Sequence, residues 1–129
     1  MRAVDTNVVV RFLIADDIEQ SARARQVVSA GDLFVSTTVI LETEWVLRSA
    51  YKLSPLFIVD LIRAFIGLPG VAAESTASLA MALGWAAKGM DLADAFHLAG
   101  ARDCTAFVSF DRALARSAAG LSAMPVVEP

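Results

Sequence analysis

The chain has little sulfur, little histidine and no long apolar run. Cys104 is its single cysteine, so no internal disulfide can form, and a reducing, cytosolic setting is the expected one. With one histidine, His97, beside that cysteine, a dedicated Cys/His zinc cluster cannot be assembled. The longest stretch without a charged residue runs from Ser75 to Ala87, thirteen residues. About 20 are needed to span a bilayer, so no membrane segment is expected. Asp5 interrupts any apolar signal region, and no basic leader with a cleavage site precedes it. Internal repeats and low-complexity linkers are also missing.

The chain does have length and apolar content for one well-packed domain. Its 129 residues are 57% hydrophobic, and residues 1–129 are expected to form a single domain. The net charge is −3, from 11 Lys+Arg against 14 Asp+Glu, which argues at first against a polyanionic partner. That sum hides a distribution. If four carboxylates are set aside for a cation, ten acids remain against eleven bases, nine of them arginine. Arginine suits bidentate phosphate contacts, so a phosphodiester substrate is not excluded.

Periodicity and breakers predict short strands alternating with helices. Strands are expected at 2–4, 33–36, 71–74, 106–110 and 124–127, the third of them at an edge. Helices are expected at 6–14, capped by Thr6 or Asn7, and at 17–30, ended by Gly31. Others follow at 38–51, from Ser54-Pro55 to about 65, at 76–88, 91–102 and 112–118. Within 38–51, Leu41, Trp45 and Arg48 share a stripe. The alternation predicts βαβ units and an α/β fold with a mainly parallel sheet covered on both faces. Sites in such folds lie beyond the carboxyl ends of the strands.

Four acids fall at that edge. Asp5 ends the first apolar run, and Asp111 ends "AFVSF". Glu42 lies about one turn inside the helix after "LFVS", and Asp94 in the first turn of its own helix. Each taken alone reads as well as a helix cap or a solvated acid. Asp91 reads better as a cap than a ligand. Glu44 lies two residues from Glu42, so the two point to nearly opposite sides of a helix and Glu44 is expected in solvent. His97 is expected to be packed or hydrogen-bonded, and Trp45 and Trp85 to be core or interface residues. Taken together, Asp5, Glu42, Asp94 and Asp111 would repel one another unless a cation neutralised them. An oxygen-only set suits Mg2+ or Mn2+. Such an ion activates a water and offsets charge on a phosphoryl oxygen.

Four blocks carry a resemblance: "VDTNVVVRFL", "VILETEWVLRSAYKLS", "GMDLADAFHLAGAR" and "FVSFDRAL". In this order and within this length, they resemble PIN-domain ribonucleases, specifically VapC-type toxins of toxin–antitoxin pairs. The resemblance implies a three-layer α/β/α domain with a central, mainly parallel sheet of four to five short strands. It implies an endoribonuclease that hydrolyses RNA phosphodiester bonds with a hydroxide activated by Mg2+, for which Mn2+ substitutes. Asp5, Glu42, Asp94 and Asp111 match the acidic quartet, catalytic and metal-holding, with Asp5 and Asp94 as main ligands. Asp91 matches an auxiliary acidic position. Asn7 and Ser109 match polar positions expected to hydrogen-bond a carboxylate or a metal-bound water. Arg11 and Arg112 are candidate RNA contacts, or partners of surface acids. The implied partners are RNA, a cognate VapB-like antitoxin that enters the active-site groove, and a second copy in a homodimer or higher even oligomer. Helices 38–51 and 54–65 would pack at the dimer interface.

Rival phosphate enzymes of similar topology fit poorly. A haloacid-dehalogenase-type phosphatase wants a second Asp two residues after the first, where Asn7 stands. A receiver domain wants an acidic pair after strand one. Two alternatives remain: a PIN-like module that holds RNA or a protein without cutting, and a PIN nuclease outside toxin–antitoxin biology.

Overall fold

Each helix in the first 75 residues opens on an oxygen-bearing side chain that accepts an otherwise unpaired backbone N–H. Asp5 caps α1 (Thr6–Leu13), Asp17 caps α2 (Ile18–Ala30), Ser36 caps α3 (Thr37–Ser49) and Ser54 caps α4 (Pro55–Ile66). Pro55 occupies the first helical turn of α4, where its missing N–H costs nothing. The cap of α1 is therefore Asp5, one residue before Thr6 and two before Asn7, the expected caps. The aspartate holds extended backbone angles and its carboxylate accepts the Thr6 N–H. The computed structural model describes residues 1–122 and 124–129.

The chain divides into two compact units, Met1–Ser75 and Thr76–Pro129. In the first, β1 (Arg2–Ala3), β2 (Leu33–Val35) and β3 (Val71–Ala73) form a wholly parallel sheet in the order β1-β2-β3. Strand β3 is at the edge, as its weak apolar pattern suggests. Leu33 and Val35 of β2, Leu47 of α3 and Ile58 of α4 are fully buried and make the centre of this unit's core. Phe12 of α1 and Phe65 of α4 stack at a tilt, with ring centroids 5.6 Å apart. Two glycines let the entries to β2 and β3 approach: a side chain on Gly70 (φ +79°) would stand 2.8 Å from the Gly31 Cα.

In the second unit, α5 (Thr76–Ala86) packs along α6 (Leu92–Gly100) through small residues. Ala82, Ala95 and Ala99 are wholly buried, which lets the two backbones come close. Strand β4 (Phe107–Val108) and β5 (Val126–Val127) pair in parallel around α7 (Arg112–Ala118). The Trp85 indole donates to the Leu121 carbonyl at 3.2 Å.

The expected α/β class with parallel strands is thus what forms, with hydrogen-bonded sets of three and two strands. Two details differ from the periodicity. The strands are shorter than their apolar runs, because capping residues such as Ser36 and Asp111 turn the backbone into the next helix. The buried stripe of α3 is Ile40, Thr43 and Leu47, and Trp45 is 58% exposed. The heavier stripe of Leu41, Trp45 and Arg48 is therefore not the core face. No helix among the described residues is long and apolar enough to cross a membrane.

Candidate active site

Asp5 stands where β1 gives way to α1, and its capping role and its exposure follow from that place. The Thr6 N–H donates to Asp5 Oδ1 at 2.8 Å. This bond engages one carboxylate oxygen, and a carboxylate has acceptor capacity on both. Capping and ligation are therefore compatible. Glu42 projects from α3 into the same open cleft, of about 370 Å³, which Asn7, Arg11 and Tyr51 also line. Glu44 is the covered acid of the pair, contrary to the expectation that it lies in solvent. Its side chain is 15% exposed and accepts from Arg48 Nε at 2.8 Å, one helical turn on. Two acids two positions apart on a helix cannot face one site, and here Glu42 is the one beside Asp5.

The second unit brings Asp91, Asp94 and Asp111 within mutual electrostatic reach. Asp91 caps α6: its Oδ1 accepts the Asp94 N–H at 3.1 Å. Asp111 caps α7: its Oδ1 accepts the Ala113 and Leu114 N–H groups at 2.9 and 3.0 Å. Asp94 is the perturbed member. Burial pushes its carboxyl above the ordinary aspartate range, the negative charges of Asp91 and Asp111 push it further, and nearby His97 partly offsets them. The Ser109 hydroxyl accepts the Asp111 backbone N–H at 2.9 Å, rather than bonding its carboxylate, so Ser109 shapes the turn into α7. Of the two expectations for His97, packing is ruled out, because the side chain is exposed.

Both candidate RNA-contact arginines are paired. Arg112 reaches Glu128 at 3.5 Å in an exposed pair. Arg11 is held more firmly. Its Nε donates to Gln20 Oε1 at 2.7 Å and its NH1 to Asp16 Oδ1 at 2.8 Å. The Tyr51 hydroxyl donates to the other Asp16 oxygen at 2.8 Å. That bond holds Asp16 below the usual aspartate range, and the Arg11 charge adds to it. The same bond, with burial, raises the Tyr51 phenol. Tyr51 lines the cleft and Asp16 holds its hydroxyl, though neither stands out in the sequence beyond Tyr51 being the lone tyrosine.

Among the described residues, no three His, Cys, Asp or Glu side chains are gathered into a group that could hold a metal ion. Mg2+ does not demand such a cage. It keeps several waters and binds through one or two carboxylates plus substrate phosphates. The donors in each unit are carboxylate oxygens, which are hard, and Asp94 carries like-charge repulsion that a cation relieves. The donor chemistry fits a hard divalent ion.

Comparison with known proteins agrees with this chemistry. The family model of the PIN domain matches residues 2–120, through both units and all four acids. A search of the curated proteins finds no match. Because the match covers nearly the whole chain, this protein belongs to the PIN domain family, whose members are typically metal-dependent nucleases.

Proposed function

We propose that this protein is an endoribonuclease dependent on Mg2+ or Mn2+, the toxin component of a VapBC-type toxin–antitoxin pair, acting in the cytoplasm as a single nuclease domain. The observation that carries the reading is the placement of Asp5 and Glu42 on one open cleft whose nearest cation, Arg11, is already balanced by Asp16. A carboxylate pair with no neutralising side chain is the environment a hard cation stabilises.

Asp5, Glu42, Asp94 and Asp111 are the side chains proposed as catalytic and metal-holding. A divalent cation held by these carboxylates would lower the pKa of a coordinated water and offset charge on the phosphoryl oxygens. The protein's own contribution is orientation. Capping fixes Asp5 and Asp111 against their helices, so one oxygen of each is immobilised and the other is presented in a fixed direction. Asp91 holds the first turn that carries Asp94. Asn7 lines the cleft with Asp5, and its proposed role is a hydrogen bond to a carboxylate or a metal-bound water. No protein nucleophile is required.

The proposed partners are RNA, a VapB-like antitoxin and a second copy of the chain. The dimer face is assigned to α3 and α4, where Trp45, Leu56 and Phe57 are 58%, 59% and 49% exposed. Incubating the purified protein with labelled RNA and Mg2+ or Mn2+ tests the catalytic reading. Cleavage is expected to fall on the order of 100-fold or more with Asp5→Asn, Glu42→Gln, Asp94→Asn or EDTA. Cleavage unaffected by all four treatments overturns the metal mechanism, and RNA binding without any cleavage identifies a binding module.

A further inference from the structure

A second cleft, of about 270 Å³, lies between α1 and α2 and is lined by none of the four proposed metal-holding acids. Asn7 and Arg11 line both this cleft and the one that holds Asp5 and Glu42, so the two are contiguous. Its α2 wall is a helical stripe that includes Gln20 and Arg23. No carboxylate is among the described residues that line it.

The two arginines of this cleft are not equivalent. The charge of Arg11 is spent on Asp16, and its Nε is spent on Gln20. Arg23 is exposed, and it takes part in no ion pair among the described residues. The uncompensated positive charge of the cleft is therefore that of Arg23. Gln20 gives its side-chain oxygen to Arg11, which leaves its NH2 as the group able to donate outward. Asn7 supplies a further amide at the junction of the two clefts.

We propose that the α1–α2 cleft is a phosphate-binding subsite for the single-stranded RNA backbone beside the scissile bond, with Arg23 as its anchoring cation. Gln20 and Asn7 donate to phosphate or ribose oxygens, and Arg11 acts as a strut that sets the wall between the clefts. A guanidinium with free N–H groups binds a phosphate through two of them, and one phosphate neutralised releases a counterion. The inference rests on the nuclease reading and deepens it.

The test is fluorescence anisotropy of a labelled single-stranded RNA of about 12 nucleotides in EDTA, where binding is read without cleavage, over a salt series. Arg23→Gln is expected to weaken binding roughly 3- to 10-fold and to lower the slope of log affinity against log salt by about 0.7. Arg23→Lys restores part of the affinity, because the charge remains while the bidentate geometry is lost. Arg25→Gln, on the same helix but outside the cleft, is expected to change affinity less than about twofold. Arg11→Met is expected to lower the melting temperature of the free protein, which a phosphate contact would not do. Equal effects of Arg23→Gln and Arg25→Gln, or unchanged affinity of Arg23→Gln with its fold intact by circular dichroism, overturn the subsite while leaving wild-type cleavage untouched. A wild-type protein that neither binds nor cuts RNA overturns the nuclease reading and the subsite together.

Discussion

The backbone N–H of Thr6 donates to Asp5 Oδ1 at 2.8 Å, so a proposed metal-holding carboxylate also starts the helix behind it. The two roles separate by substitution. Asparagine caps a helix about as well as aspartate, and alanine does not. Asp5→Asn is expected to abolish cleavage with a change in unfolding free energy below about 0.5 kcal/mol. Asp5→Ala loses the same activity and a further ~1 kcal/mol. Denaturant unfolding beside an RNA cleavage assay measures both. Equal destabilisation by the two variants would show that the capping bond adds nothing.

Asp94 is predicted to set a pH dependence of stability with a defined sign. Its carboxyl is raised above the ordinary aspartate range by burial and by Asp91 and Asp111. The folded state therefore binds this proton more tightly than the unfolded state. The resulting stability is fully present below the unfolded aspartate pKa and is lost as pH rises through the higher, folded pKa. At neutral pH the charged form works against the fold. In EDTA, Asp94→Asn is expected to raise the melting temperature at pH 7, by roughly 1–2 °C given the partial solvation of the group. Millimolar Mn2+ is expected to raise the wild-type melting temperature and to leave that of Asp94→Asn unchanged. Thermal scans at pH 4 and pH 7, with and without Mn2+, check both. A lower melting temperature for Asp94→Asn at pH 7 in EDTA would contradict the assigned sign.

Thr43 offers a test away from the site. It is 1% exposed on the core stripe of α3, and its Oγ1 has no hydrogen-bond partner. It lines a small apolar void together with Val9, Val35 and Ile62. Burying an unpaired hydroxyl is costly, and replacing it with a methyl group of similar shape removes the cost. Thr43→Val is expected to stabilise the protein by about 1 kcal/mol without changing RNA cleavage. A drop in stability would mean the hydroxyl has a partner, such as a buried water.

Much of the α/β arrangement is legible along the chain because its punctuation is local. Ser54-Pro55 opens α4, Gly31 closes α2, and Asp111 opens α7, each through backbone preferences that need no distant partner. The apolar stripe of α3 is less legible. Its most conspicuous apolar residue, Trp45, is turned outward, while Thr43 is buried. Periodicity shows that a stripe exists, and it cannot choose between two overlapping stripes when both carry apolar residues.

The proposed site divides in the same way. The residue types and their order along the chain already point to carboxylates near strand ends and a PIN-like pattern, since those depend on composition and local spacing. Which acid of the Glu42 and Glu44 pair faces Asp5 depends on the rotation of α3. That Arg11 is a neutralised strut depends on Asp16, Gln20 and Tyr51 reaching it from 5, 9 and 40 residues away. Side-chain partners of that kind are chosen by packing in three dimensions, and only the folded chain decides them.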